Sequence, residues 1–217
     1  AALRSLQMEV IAMSGNRNCS LIYPGHRSGF MDELVSYGQA AKKLNCPSLI
    51  LVTDSIDSQG FVIPPPVSLT DREKGYSVVV GLLKAIEFAE KNDLHILLEP
   101  LNTKVDHPGY FLDCSKLGFE IIRSIGSPRL KLLFDLYHLQ AMEGDLIRTL
   151  ERNLEHIGHI HVADPPNRTE PGLGEINFRN VKKALTSLGY EGYVGLECYP
   201  SGDSTQAVKA FLDTFAD

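Results

Sequence analysis

Four positions in the second half of this sequence carry side chains suited to hold a divalent cation: Glu99, Asp135, His161 and Glu197. Each closes a short apolar run. In three cases another polar group follows within a turn: Asn102 after Glu99, His138 after Asp135 and Asp164 after His161. Taken singly, these residues have ordinary explanations. A carboxylate after a strand commonly caps the next helix, and a single histidine is commonly packed in a core. Taken together they pose an electrostatic problem, because three carboxylates gathered in a partly dry cleft raise one another's pKa values unless a cation sits among them. One divalent ion resolves the conflict. Carboxylate oxygens with one imidazole suit Mn²⁺ or Mg²⁺, with Co²⁺ and Zn²⁺ as substitutes.

The gathering depends on the elements that carry these residues. Apolar runs of strand length alternate with longer segments of helical period, the pattern of parallel βα units. Six runs read as strands: residues 8–13, 48–53, 95–99, 130–135, 157–163 and 193–197. Most are apolar on both faces, as parallel strands covered by helices require. In a (β/α)8 barrel the C-terminal strand ends open on one mouth, so side chains far apart in sequence meet there. Thr70-Asp71-Arg72-Glu73 is a capping box before a helix, and Asn177 caps another whose inner face is Val181, Ala184, Leu185 and Leu188. Asp203 or Ser204 opens a last helix with Ala207, Val208, Phe211, Leu212 and Phe215 at helical spacing, read as a buried stripe. Residues 59–68, with three consecutive prolines, are expected to be an irregular βα loop over the site.

Bulk properties narrow the function class. A length of 217 residues with 43% hydrophobic content fits one domain, residues 1–217, able to bury a large core. The net charge of −6, with no basic block, argues against nucleic acid or a membrane surface as partner and for a small molecule. No apolar run approaches the ~20 residues a membrane span needs. The dispersed Cys19, Cys46, Cys114 and Cys198 read as reduced structural thiols, which places the protein in the cytoplasm.

The chain resembles the hydroxypyruvate isomerase family, within the xylose-isomerase-like barrel superfamily of sugar isomerases, ketose 3-epimerases and endonuclease IV. The resemblance covers nearly the whole chain. It rests on Leu98-Glu99-Pro100-Leu101-Asn102, Asp106-His107-Pro108-Gly109-Tyr110-Phe111, Phe134-Asp135-Leu136-Tyr137-His138 and Met142-Glu143-Gly144-Asp145-Leu146. It continues through Gly158-His159-Ile160-His161-Val162-Ala163-Asp164, Glu170-Pro171-Gly172-Leu173-Gly174-Glu175-Ile176-Asn177 and Gly195-Leu196-Glu197. The resemblance implies a TIM barrel with one divalent metal on Glu99, Asp135, His161 and Glu197, and with Glu99 and Glu197 as acid and base. It also implies substrate contacts from His138 and Arg168, the latter able to grip a carboxylate or oxyanion through two hydrogen bonds. Glu175, placed to orient Arg168 or a ligand, and Asn102 are expected to support these groups from behind.

Two departures from the family pattern bear on function. Classical hydroxypyruvate isomerases often carry Gln where this chain has His161, whereas ketose 3-epimerases carry His. The family barrel also begins with two further βα units, about forty residues, before the first strand recognised here. Six parallel strands are therefore expected, the first and last without their usual neighbours.

The implied chemistry is proton transfer between adjacent carbons of a hydroxy-carbonyl substrate such as hydroxypyruvate, tartronate semialdehyde or a related sugar. A ketose 3-epimerase is the alternative within the superfamily. A non-catalytic shortened relative, serving as an assembly partner, is the alternative from another class, and a homo-oligomer is an expectation compatible with either reading. A DNA-repair endonuclease would need more metal-binding histidines and a basic groove, which seven histidines and an acidic balance do not provide.

Overall fold

The structure, a computed structural model, describes residues 5–216. Its strands, in chain order, are β1 (Ala12–Ser14), β2 (Ser48–Leu51), β3 (Ser55–Ile56), β4 (Val62–Ile63), β5 (His95–Leu98), β6 (Leu130–Asp135), β7 (Ile157–Val162) and β8 (Val194–Leu196). The main helices are α1 (Arg27–Leu44), α2 (Asp71–Asn92), α3 (Ser115–Ile125), α4 (Leu136–Met142), α5 (Leu146–Asn153), α6 (Phe178–Ser187) and α7 (Ser204–Phe215). Six strands form one sheet in the order β1-β2-β5-β6-β7-β8, every neighbouring pair parallel. The sheet is six-eighths of a TIM barrel. Its core is aliphatic: Leu49, Leu51, Ile96, Leu98, Leu132, Phe134, Ile160 and Val162 from the strands pack with Leu34, Leu82, Phe119 and Val181 from the helices.

Local chemistry sets the element boundaries. Thr70 caps α2 by accepting from the Glu73 amide at 3.3 Å, while the Glu73 carboxylate accepts from the Thr70 amide at 2.8 Å. The side chains of Asn177 and Asp203 accept from the first-turn amides of α6 and α7 in the same manner. Among the described residues no helix is long and apolar enough to cross a membrane.

Three expectations need correction. The first strand lies at Ala12–Ser14 rather than at residues 8–13. Ala12 pairs with Ser48, so Pro47 comes next along β2, and a proline has no N–H with which to carry the ladder further back. Next, the segment expected to be irregular contributes a strand to a small hairpin, Ile56 pairing with Val62 and Ser55 with Ile63. Asp57 shapes its turn by accepting from the amides of Gln59 and Phe61 at 2.8 and 2.9 Å. Finally, the stripe on α7 is buried only at Ala207. Val208 and Leu212 are 48% and 50% exposed, because α7 covers an edge strand with nothing beyond it among the described residues.

Candidate metal centre

The quartet sits where consecutive strands end. Asp135, the last residue of β6, pairs with His161 on β7, and His161 pairs with Gly195 on β8. Glu99 and Glu197 extend the ladder by one bond each, their amides donating to Leu51 and Val162 carbonyls at 3.0 Å. A bulge controls the level of His161. Between Leu132↔Ile157 and Leu133↔His159 the register slips by one, leaving Gly158 unpaired. Without that slip Asp135 would face Ile160, whose side chain points to the other face of the sheet. Glycine is required there, since a Cβ would lie 2.7 Å from Leu97 Cδ2 and 2.8 Å from Lys131 Cβ. Gly195 leaves room for the histidines, because a Cβ would approach His159 Nε2 to 3.3 Å and His161 Cδ2 to 3.5 Å.

Curvature of the sheet then brings the four side chains together, with one ligand atom from each lying within 4.8 Å of all the others. His161 Nδ1 is 3.5 Å from Glu197 Oε2, 3.6 Å from Glu99 Oε1 and 3.9 Å from Asp135 Oδ2. Neither His161 Nδ1 nor Glu99 Oε1 has a hydrogen-bond partner, although both are buried. Buried polar atoms are costly when unpaired, and two facing atoms that each can offer a lone pair leave room for a group that would satisfy both. The donor set and these two atoms fit a divalent cation. Asp135 divides its oxygens: Oδ1 caps α4, accepting from the amides of Tyr137 and His138 at 2.8 and 3.0 Å, while Oδ2 faces His161.

The electrostatics separate the two glutamates. Burial pushes Glu99 up to about 7, aided by the charges of Glu197 and Asp135 against the pull of His161. Burial works against ionised Glu197 as well, but His161 and Arg168 outweigh it and hold this carboxyl at about 2. Burial opposes the imidazolium of His161, yet Glu197 and Glu99 raise it to about 10. Asp135 is raised, chiefly by burial.

Arg168 lies beside the quartet, its Nη2 donating to Glu197 Oε2 at 2.6 Å. The guanidinium stands over the rings of Tyr137 and Tyr199, 5.2 and 5.6 Å from their centroids. Its backbone takes φ 54°, a left-handed conformation that costs a non-glycine residue ~1 kcal/mol or more, and its carbonyl accepts from the Tyr199 amide at 2.7 Å. His138 is buried, with Nε2 3.9 Å from Asp135 Oδ2. Asn102 lies against its other nitrogen, Asn102 Nδ2 being 2.8 Å from His138 Nδ1. Glu175 is placed elsewhere: it is exposed, accepts from Gln140 Nε2 at 3.3 Å, and Arg168 turns to Glu197 instead.

Tyr137, Tyr199 and Asp106 adjoin this site without having been singled out from the sequence. Tyr137 is the neighbour of a recognised residue, but only the first turn of α4 brings its ring beneath a guanidinium 31 positions later. Asp164 follows the ordinary explanation for a polar strand end: buried, it accepts from the amides of Gly172, Gly174 and Ile176 and shapes the loop after β7.

Comparison with known proteins gives a consistent picture. The family model described as xylose isomerase-like TIM barrel matches residues 1–215. The hydroxypyruvate isomerase of Escherichia coli is 31% identical over 207 residues, covering 93% of this chain and 74% of that protein. The 2-oxo-tetronate isomerase of Cupriavidus necator is 40% identical over 120 residues, covering 55% of this chain and 46% of that protein. Matches to human and mouse relatives cover 66% of those proteins' length. Among solved structures, one described as AP endonuclease, family 2, from Brucella melitensis superposes with a TM-score of 0.87 at 24% identity, over 99% of this chain and 81% of that one. That likeness concerns the fold.

Proposed function

We propose, on the premise that the chain belongs to the xylose isomerase-like TIM-barrel family, that it is a divalent-metal-dependent isomerase of a small hydroxy-carbonyl compound such as hydroxypyruvate or tartronate semialdehyde. One observation carries the reading: two glutamates converge on one imidazole while their surroundings push their pKa values apart, Glu99 to about 7 and Glu197 to about 2. Moving a proton between adjacent carbons needs one carboxylate ionised and one protonated at the same moment, and surroundings that make Glu99 the weaker acid and Glu197 the stronger favour that division.

Glu99, Asp135, His161 and Glu197 would hold the ion, Mn²⁺ or Mg²⁺ before Co²⁺ or Zn²⁺ by donor type, which when bound supplies a Lewis acid that eases loss of a proton beside a carbonyl. Glu197, kept ionised by Arg168, takes that proton. Glu99 delivers its proton to the neighbouring carbon while the substrate hydroxyl gives its proton to the former carbonyl oxygen, and exchange with solvent returns Glu99 to the protonated and Glu197 to the ionised form. Arg168 and His138 orient the substrate oxygens. The small-molecule partner fits the acidic charge balance, and four free thiols fit a cytoplasmic setting.

The test follows the label on substrate deuterated at the reacting carbon. Exchange with solvent during turnover is expected, together with a loss in kcat of roughly 10²–10⁴-fold in Glu99→Gln and in Glu197→Gln. Complete retention of label with near-parental turnover in both variants would overturn the reading. His161 favours one second reading, ketose 3-epimerisation. It is distinguished by product: inversion at one carbon of a ketose rather than migration of the carbonyl.

A further inference from the structure

Beside the quartet, Asp106, His107 and His138 also offer ligand atoms within 4.8 Å of one another. By residue type alone they look like a second cation site. The hydrogen bonds decide otherwise. His138 Nδ1 receives the backbone N–H of Asn102 at 3.2 Å. A backbone N–H only donates, so this nitrogen presents its lone pair. The Asn102 side chain acts in the same sense. Its Oδ1 accepts from the amides of Val105 and Asp106, both at 3.0 Å, and its Nδ2 donates to Asp106 Oδ2 at 2.6 Å, which fixes the amide with its NH₂ group toward His138. With Nδ1 bare, His138 carries its single hydrogen on Nε2. That nitrogen is buried, has no hydrogen-bond partner and lies at the Asp135 side of the quartet.

We propose that Asn102 is a positioning residue that locks His138 as a neutral Nε2–H donor aimed at a substrate oxygen beside the quartet, and that the same lock denies a second cation the Asp106, His107 and His138 group. The inference rests on the reading of the quartet as an isomerase centre. A protonated nitrogen cannot ligate a metal, and the other nitrogen of His138 is covered by Asn102, so the group is left without its third ligand. Asp106 is engaged as well, by Asn102. What His138 supplies is a hydrogen bond to the oxygen that gains negative charge as the adjacent carbon loses its proton. The hydrogen stays on Nε2 throughout, so the donor needs no resetting between turnovers.

The test begins on the metal-free chain, with histidine labelled in both ring nitrogens. A long-range ¹H–¹⁵N spectrum, assigned by the signals lost in His138→Gln, should show His138 with Nδ1 unprotonated and Nε2 protonated. An Nδ1-protonated or doubly protonated ring would overturn the proposal. In Asn102→Asp a carboxylate acceptor replaces the side-chain donor beside Nδ1 while the backbone N–H of residue 102 remains, so the hydrogen should shift in part to Nδ1. An unchanged pattern in a folded variant would remove the positioning role, and the parental spectrum stands as a test if the variant does not fold. Mn²⁺ titration should saturate at one equivalent per chain, and a second equivalent lost in Asp106→Asn would also overturn the proposal. Because these readouts involve no turnover, a chain inactive on every hydroxy-carbonyl compound but with the expected tautomer sinks only the function reading.

Discussion

Proton and metal compete for the same atoms at His161. In the metal-free chain its imidazole is raised from 6.5 to about 10 and Glu99 from 4.5 to about 7. At neutral pH a cation must therefore displace one proton from His161 and part of another from Glu99. Apparent metal affinity should rise with pH, by about tenfold per unit above neutrality and more steeply below it. Calorimetric Mn²⁺ titrations in buffers of different ionisation enthalpy would check both the slope and the released protons, and a pH-independent affinity would contradict the assignment of His161. Stability of the metal-free site runs the other way. The raised His161 stabilises fully below 6.5 and loses that contribution as pH rises through about 10, and Glu99 loses its own between 4.5 and about 7. Glu197, depressed to about 2, stabilises above 4.5 and loses that only as pH falls toward its folded value. Metal should therefore raise Tm more at mildly alkaline than at mildly acidic pH.

Arg168 gives a second prediction at this scale. Arg168→Lys keeps a charge but loses the plane that stands over Tyr137 and Tyr199, so the hold on Glu197 weakens. The acid limb of the kcat/KM profile should move to higher pH, with activity down by roughly 10–100-fold, as loss of a group that orients a metal ligand typically costs. The convergence of Glu99, Asp135, His161 and Glu197 was legible in the sequence because each lies toward the end of an apolar strand run. The tyrosines were not, because nothing in one-dimensional spacing tells which ring a distant guanidinium will cover.

A single bulge decides whether β7 presents His161 or Ile160 to Asp135. The run from Ile157 to Val162 reads as a buried strand whichever register it takes, so the strand was legible while the slip at Gly158 was not. Only pairing with β6 reveals it. Gly158→Ala puts a methyl group against Leu97 and Lys131, so a destabilisation of about 1–3 kcal/mol is expected, with β7 displaced. Urea unfolding would give the first quantity. Mn²⁺ affinity gives the second, and it should fall by more than in a core variant of equal destabilisation away from β7. Equal losses in the two would mean that the bulge serves stability alone. The hairpin of β3 and β4 shows the same limit of sequence reading: its two-residue strands carry no detectable period, and the prolines that follow Ile63 mask them.

Across the whole molecule, exposed apolar side chains are scattered, and some of them, Tyr193, Val208 and Leu212, lie beside the edge strand β8. Among the described residues β1 pairs only with β2 and β8 only with β7. A cavity of about 340 Å³ at the far end of the strands is lined from both edges, by Ile11 and Ser48 on one side and Gly192 and Tyr193 on the other. The sequence showed that α7 has an apolar stripe but not what the stripe meets. Phe211 and Phe215 stack at 5.3 Å and Phe215 reaches Phe178, whereas Val208 and Leu212 face outward. Unpaired edges and exposed apolar faces favour self-association. Val208→Glu combined with Leu212→Lys places a favourable pair one turn apart on that outward face. If the face is solvated in the working protein, the double variant should change stability by no more than about 0.5 kcal/mol, bind Mn²⁺ like the parent and sediment as a smaller or more uniform species. A loss above about 2 kcal/mol would show instead that the face is buried in the protein as it works.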